Sequence, residues 1–257
     1  MLLIVMSAAM LVPVAVSLYY RDGSQFGLAL SGLLILIIGL LMRNIFGVKA
    51  VYELHEKEGF LFTALIWVII PLAGSLPYLF TSSVSTFTDA AFESFSGFTT
   101  TGSSVMGDLD SKPQGILVWR SLSQWVGGMG LILMVVALLR RLNEGSARLY
   151  EAEFSGTLQR RLHPRMARSV FIMWMVYIGL TLALFLLLLF DGNCFVDSLC
   201  TALSTVSTGG FMTHDAGLSC FSDFSMACVT LFMVLAVVFN FSCSFHHFHL
   251  WLLHHNT

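Results

Sequence analysis

Two stretches of this 257-residue chain gather hydroxyls and glycines at a spacing that suits one kind of chemistry. Residues 88–105 contain Ser96-Gly97-Phe98-Thr99-Thr100-Thr101-Gly102, and residues 196–214 contain Ser204-Thr205-Val206-Ser207-Thr208-Gly209-Gly210. Each offers a row of backbone carbonyl and hydroxyl oxygens with no charge, thiol or imidazole at its centre. Neutral oxygens of this kind replace the water around a weakly hydrated monovalent cation. Gly102 and Gly209 are expected to supply the positive φ that lets successive carbonyls aim at one axis. A lone Thr-Thr-Thr-Gly is an ordinary turn between helices. Two copies in one chain, each in the same setting, favour the cation reading.

That setting is apolar. Of all residues, 56% are hydrophobic and only 11% are charged, against roughly 25% charged in soluble domains. Mean hydropathy is +0.82. Runs 1–20, 23–42, 59–88, 121–139, 169–190 and 224–257 contain no Asp, Glu, Lys or Arg. Each reaches or nearly reaches the roughly 20 residues that a helix needs to cross a bilayer core. They show no strand-like alternation, so a membrane β-barrel is not expected. The first run lacks a basic flank and is expected to be a span, not a cleaved signal. Lys+Arg 13 against Asp+Glu 15 leaves no basic excess for nucleic acid. There is no nucleophile–base pair, phosphate loop or zinc-protease motif, so no enzyme is expected.

Both hydroxyl–glycine segments follow one such run and precede another. Asp89 (with Thr88) and Asp197 are expected N-caps of short helices. About ten helical residues cover roughly 15 Å, half the hydrocarbon thickness. The chain then returns as non-helical backbone, which survives at that depth only when it lines a wet cavity or is buried in protein. These are re-entrant pore loops, and the unit helix, half-helix plus loop, helix occurs twice. Without a gap, Asp89–Gly102 matches Asp197–Gly210. With one gap, Thr101-Gly102 matches Thr208-Gly209, and this register is preferred because it superposes the Thr-Gly pairs. Glu93 is expected to support its loop rather than attract ions at the mouth, and Arg120 to snorkel or pair. Gly127, Gly128 and Gly130 permit either close helix packing or a bend.

Ten of the thirteen basic residues lie in two segments: Arg43, Lys49 and Lys57, then Arg140, Arg141, Arg148, Arg160, Arg161, Arg165 and Arg168. The positive-inside rule puts both segments, and hence both termini, in the cytoplasm. Cys194 and Cys220 are the two of the five cysteines placed outside and clear of helices. A bond between them is possible, but free cysteines are expected.

Three longer motifs and one short turn carry a family resemblance. Phe92-Glu93-Ser94-Phe95-Ser96-Gly97-Phe98-Thr99-Thr100-Thr101-Gly102 resembles the first filter of bacterial Trk-type potassium uptake proteins, the TrkH/TrkG family of the Trk/Ktr/HKT superfamily. Ser123-Gln124-Trp125-Val126-Gly127-Gly128-Met129-Gly130 is similar to that family's next helix, and Ser204–Asp215 to its second filter. Tyr20-Arg21-Asp22-Gly23 resembles its first outer turn. The resemblance covers about residues 1–240. It implies potassium as the transported ion, no organic cofactor, and filter ligands Thr100, Thr101, Gly102, Ser207, Thr208 and Gly209. It also implies a homodimer in the bacterial inner membrane with a cytoplasmic ring of nucleotide-binding regulatory subunits, and four pore units around one pore.

The expected architecture is therefore an all-α integral membrane protein. Residues 1–58 hold two extra N-terminal spans and a cytoplasmic loop. Residues 59–140 form the first helix–pore-loop–helix unit, 141–168 a basic cytoplasmic loop, 169–242 the second unit, and 243–257 a His-rich tail. That makes about six spans and two re-entrant half-helices. The third and fourth units are missing, and the tail departs from the family's continuation, as an out-of-frame end would; a metal-binding histidine cluster is the alternative. The expected function is potassium uptake, by a pore subunit or a truncated part of one. The alternative is a non-transporting remnant or an assembly-dependent half-pore.

Overall fold

The structure, a computed structural model, describes residues 2–46, 56–151 and 164–238. The helices are α1 (Leu2–Ala9), α2 (Leu11–Tyr20), α3 (Gln25–Phe46), α4 (Glu56–Gly74), α5 (Leu76–Phe80), α6 (Phe87–Phe98), α7 (Gln114–Glu151), α8 (Pro164–Phe190) and α9 (Phe195–Val206). A further apolar helix, α10, covers Asp223–Val238. There is no strand among the described residues. Leu2–Tyr20, Gln25–Ile45, Thr63–Phe80 and Val170–Phe190 are long and apolar enough to cross a membrane. The fold is thus all-α and multi-span, with two shorter apolar helices, α9 and α10.

Proline explains the breaks. Pro13 has no N–H to give the carbonyl four residues back, and the first span is interrupted at Met10. Pro71 and Pro77 flank the break between α4 and α5. That break is put to use. The Gly74 carbonyl accepts Trp119 Nε1–H at 3.1 Å, and the Pro71 carbonyl accepts Ser94 Oγ–H at 2.7 Å. A broken span thereby anchors both α6 and α7.

Helix α7 is the hub, packing against α2, α6 and α9. It does not stop at the predicted edge of the basic loop but continues as helix through Arg140 and Arg141 to Glu151. Its first turn is capped from a distance: Asp22 Oδ2 accepts the Gly115 N–H at 2.8 Å, while Oδ1 accepts the Ser24 N–H at 3.0 Å and the Ser17 and Ser24 hydroxyls. Helix α9 lies between α7 and α8, so its Cys200 and Leu203 join one core cluster and its Ala202 and Val206 join another.

The burial pattern suits lipid. Leu33, Ile37, Leu41, Phe171, Ile172 and Leu186 are exposed, whereas Glu93, Arg120, Gln124, Ser198, Thr201 and Ser204 are buried. The polar side chains lie inside and the apolar ones outside, the arrangement that a hydrocarbon surround favours.

Candidate functional site

Both half-helices form, twelve residues each, or about 18 Å at 1.5 Å per residue. They begin earlier than expected. The N-cap of α6 is Thr86, whose Oγ1 accepts the Asp89 N–H at 3.1 Å; α9 begins after the extended Cys194, which makes no side-chain cap bond. Asp89 and Asp197 therefore sit in the first turn, not at the cap. A carboxylate there still meets the positive end of the helix dipole, which is why it marks the right neighbourhood but the wrong residue.

The two helices end alike. In the first, the Thr99, Thr100 and Thr101 N–H groups donate to Phe95, Gly97 and Ser96 carbonyls; in the second, Ser207, Thr208 and Gly209 donate to Leu203, Thr205 and Ser204. Each is a Schellman closure, with Thr100 (φ 55°) and Thr208 (φ 57°) in the left-handed position and Gly102 (φ 77°) and Gly210 (φ 83°) two residues on. This fixes the repeat in the ungapped register and overturns the preferred gapped one. Thr99–Gly102 is the equivalent of Ser207–Gly210. The predicted triplets Thr100, Thr101, Gly102 and Ser207, Thr208, Gly209 are one residue out of step with each other, and Thr99 and Gly210 complete the two segments. The ungapped match from Asp89 and Asp197, set aside above for the Thr-Gly pairs, is the one that the backbone follows.

A left-handed β-branched residue costs roughly 1–2 kcal/mol, and it recurs at the same place in both copies. Strain of this kind collects where geometry is functional. Its effect is to turn the chain sharply away from the helix. Among the described residues no hydrogen bond reaches the carbonyl oxygens of Thr100, Thr101, Gly102, Thr208, Gly209 or Gly210. The hydroxyls of Thr99, Ser207 and Thr208 donate inward, to the carbonyls of Phe95, Ser204 and Ser207.

The loops touch. A methyl group on Gly102 would fall 2.0 Å from the Gly209 carbonyl oxygen. Gly209 itself has no positive φ, contrary to expectation; Gly210 has it. Gly209 is required for space, because a Cβ there would lie 2.4–2.7 Å from the Gln124 amide. Two of the three singled-out α7 glycines, Gly127 and Gly128, resolve toward packing, whereas a Cβ on Gly130 would meet nothing nearer than Trp67 at 4.0 Å. A methyl on Gly127 would fall 2.0 Å from the Phe98 carbonyl oxygen, and one on Gly128 3.0 Å from Ser207 Cβ. The helix runs through both without a break, seating the ends of both half-helices on its surface.

A buried ion pair ties the loops together. Glu93 is fully buried and accepts Arg120 Nε–H at 2.8 Å, the Val105 N–H at 3.1 Å and the Ser104 hydroxyl. Arg120 also donates to the Met212 carbonyl and to Ser104 Oγ, both at 3.0 Å, and stacks over the Phe211 ring at 4.2 Å. Glu93 has the supporting role, and Arg120 pairs. Farther out, His214 bonds through Nδ1 to Asp110 and lies 3.4 Å from Asp197 through Nε2; Asp215 Oδ2 accepts the Leu109 N–H at 3.0 Å. The hydrogen bond to Asp110 holds the His214 pKa above its ordinary value, and the same bond holds Asp110 below its own. Cys194 and Cys220 are free. No group of His, Cys, Asp and Glu among the described residues is placed to hold a metal ion; the tail histidines lie outside them.

Comparison with known proteins gives a consistent result. The family model described as "TrkH: Cation transport protein" matches residues 33–256, taking in the His-rich tail. The Trk system potassium uptake protein TrkH of Escherichia coli (strain K12) is 37% identical over 95% of this chain and 51% of its own length. The Trk system potassium uptake protein TrkG of the same strain is 32% identical over 92% and 49%. The crystal structure of the potassium transporter TrkH from Vibrio parahaemolyticus superposes with a TM-score of 0.78 at 34% identity, covering 91% of this chain and 47% of that one. The chain thus spans about half the length of the curated relatives it matches.

Proposed function

Given that this chain belongs to the TrkH family of cation transport proteins, we propose that its two re-entrant loops line two sides of a potassium pathway. Thr100, Thr101, Gly102, Ser207, Thr208 and Gly209, together with Thr99 and Gly210, are the ligand-bearing segments. The observation that carries this reading is the duplicated turn: twice, a half-length helix closes on a strained threonine and leaves a run of carbonyl oxygens without hydrogen-bond partners among the described residues. Unpaired carbonyls at membrane depth are costly unless something replaces water. A dehydrated potassium ion does so, and the carbonyls in turn replace its hydration shell. The C-terminal ends of α6 and α9 add partial negative charge on the same side. Potassium is the ion named for the relatives.

A four-sided filter needs two further loops, so transport requires partners for these two. The exposed Thr99 and Thr101 belong to the side that such loops would cover. In this reading the multi-pass chain lies in the bacterial inner membrane, and the positive-inside rule supports an orientation with Arg43 and the basic segment 140–168 toward the cytoplasm. A homodimer and a cytoplasmic nucleotide-binding ring are proposed as its assembly on the resemblance alone.

Cysteine mapping tests the pathway. Thr101→Cys is made in a Cys194→Ser/Cys220→Ser background, the full chain is placed in vesicles, and a membrane-impermeant cationic thiol reagent is added from the outer side. Modification is expected, and potassium or rubidium is expected to slow it more than sodium does. Labelling by a lipid-soluble maleimide alone, or equal protection by potassium and sodium, refutes the proposal.

A further inference from the structure

We infer that Gln124 on α7 is a specificity-determining positioning residue, which sets the spacing between the two loops by clamping the second one. The inference rests on the filter reading above. Gln124 is fully buried. Its Oε1 accepts two hydrogen bonds, from Ser204 Oγ–H at 2.9 Å and from the Phe211 N–H at 3.2 Å. Ser204 lies just before the Ser207–Gly210 segment and Phe211 just after it, so one oxygen holds both ends of that segment. The amide cannot be turned over, because the Phe211 N–H is only a donor and needs an oxygen opposite it.

The amide plane then serves as a spacer. Gly209 packs against it so closely that no Cβ fits, and the Gly209 carbonyl oxygen in turn occupies the place of a Gly102 Cβ. Helix α7, the second loop and the first loop are stacked with no slack, and Gln124 is the layer that joins the loops to the helix. Its Nε2 has no partner among the described residues. A buried donor of this kind is costly, so the position of the amide is fixed by the two bonds that its oxygen accepts. An unclamped second loop could shift to reach a smaller ion. A clamped one holds its carbonyls at a fixed distance, and so discriminates between ions of different radius.

The test is the ion-protected modification of Thr101→Cys in vesicles, read as the ratio of sodium to potassium concentrations giving half-protection. In the parent this ratio is expected to exceed about 10, the factor one well-placed polar interaction supports. Gln124→Met, similar in volume but without the acceptor, is expected to bring the ratio to within about threefold of unity, while Gln124→Glu, which keeps an oxygen acceptor, retains most of it. Ser204→Ala removes one of the two bonds and is expected to fall between, which keeps the test open if the methionine variant does not fold. A purely structural role would lower the yield or thermal stability of the methionine variant and leave the ratio at the parent value; that outcome overturns the inference, as does an unchanged ratio in Ser204→Ala. A parent with no discrimination at all overturns the filter reading instead.

Discussion

Replacing Arg120 by methionine should be among the most damaging single changes in the described structure. The guanidinium is removed from Glu93, whose side chain is 0% exposed against 2% for Arg120, and an unpaired carboxylate is left in the interior. Breaking a buried pair from one side costs about 3–5 kcal/mol. Glu93 keeps the Ser104 hydroxyl and the Val105 N–H, which argues for the lower end, about 3 kcal/mol on that scale. The same substitution frees the Met212 carbonyl and the Phe211 ring, so the second loop loses one of its ties to the first. At about 2–4 °C per kcal/mol for a chain of this size, thermal unfolding followed by tryptophan fluorescence in detergent should fall by roughly 6–12 °C. Glu93→Met/Arg120→Met removes both charges and should recover much of the loss, giving a coupling energy of about 2 kcal/mol in a double-mutant cycle. If the double variant loses the sum of the two single losses, the pair is not a coupled unit and the reasoning fails.

Gly102→Ala should abolish the ion selectivity of Thr101→Cys protection: the residue has φ 77° and its new methyl would lie 2.0 Å from the Gly209 carbonyl oxygen, and a backbone atom cannot swing away; retained selectivity would contradict the inter-loop contact. The His214–Asp110 contact should depend on pH. A raised histidine contributes stability that is full below about pH 6.5 and is lost as pH rises through its raised value, while a lowered carboxylate contributes above about pH 3.9 and loses this as pH falls through its lowered value. The melting-temperature difference between the parent and His214→Gln should therefore be largest between about pH 4 and 6.5 and shrink toward pH 9; a difference that does not vary with pH counts against the pairing. Asp22→Ala should cost about 1–2 kcal/mol by uncapping α7 at Gly115, seen as earlier hydrogen exchange at residues 114–117; unchanged exchange there would show that the cap is dispensable.

Features that depend on neighbours along the chain can be read from the order of the residues. Charge-free runs specified spans because burying a charge in lipid costs more than any local preference can offset. The half-helices were legible because about ten helical residues followed by hydroxyls and glycine, as in 88–105 and 196–214, cover only half the hydrocarbon thickness. Local propensity also misled. Asp89 and Asp197 look like caps, yet the true starts lie at Thr86 and Cys194. The Thr-Gly dipeptide suggested a gap, whereas the left-handed Thr100 and Thr208 align without one. Contacts between residues far apart in sequence emerge only on packing. Glu93 meets Arg120, Gln124 meets Ser204 and Phe211, and Gly102 meets the Gly209 carbonyl only because α7 passes between the two half-helices. Hydropathy specifies that such a helix is buried but not which of its faces meets which loop. That is settled by close packing, where a single methyl on Gly127 or Gly209 would be too many.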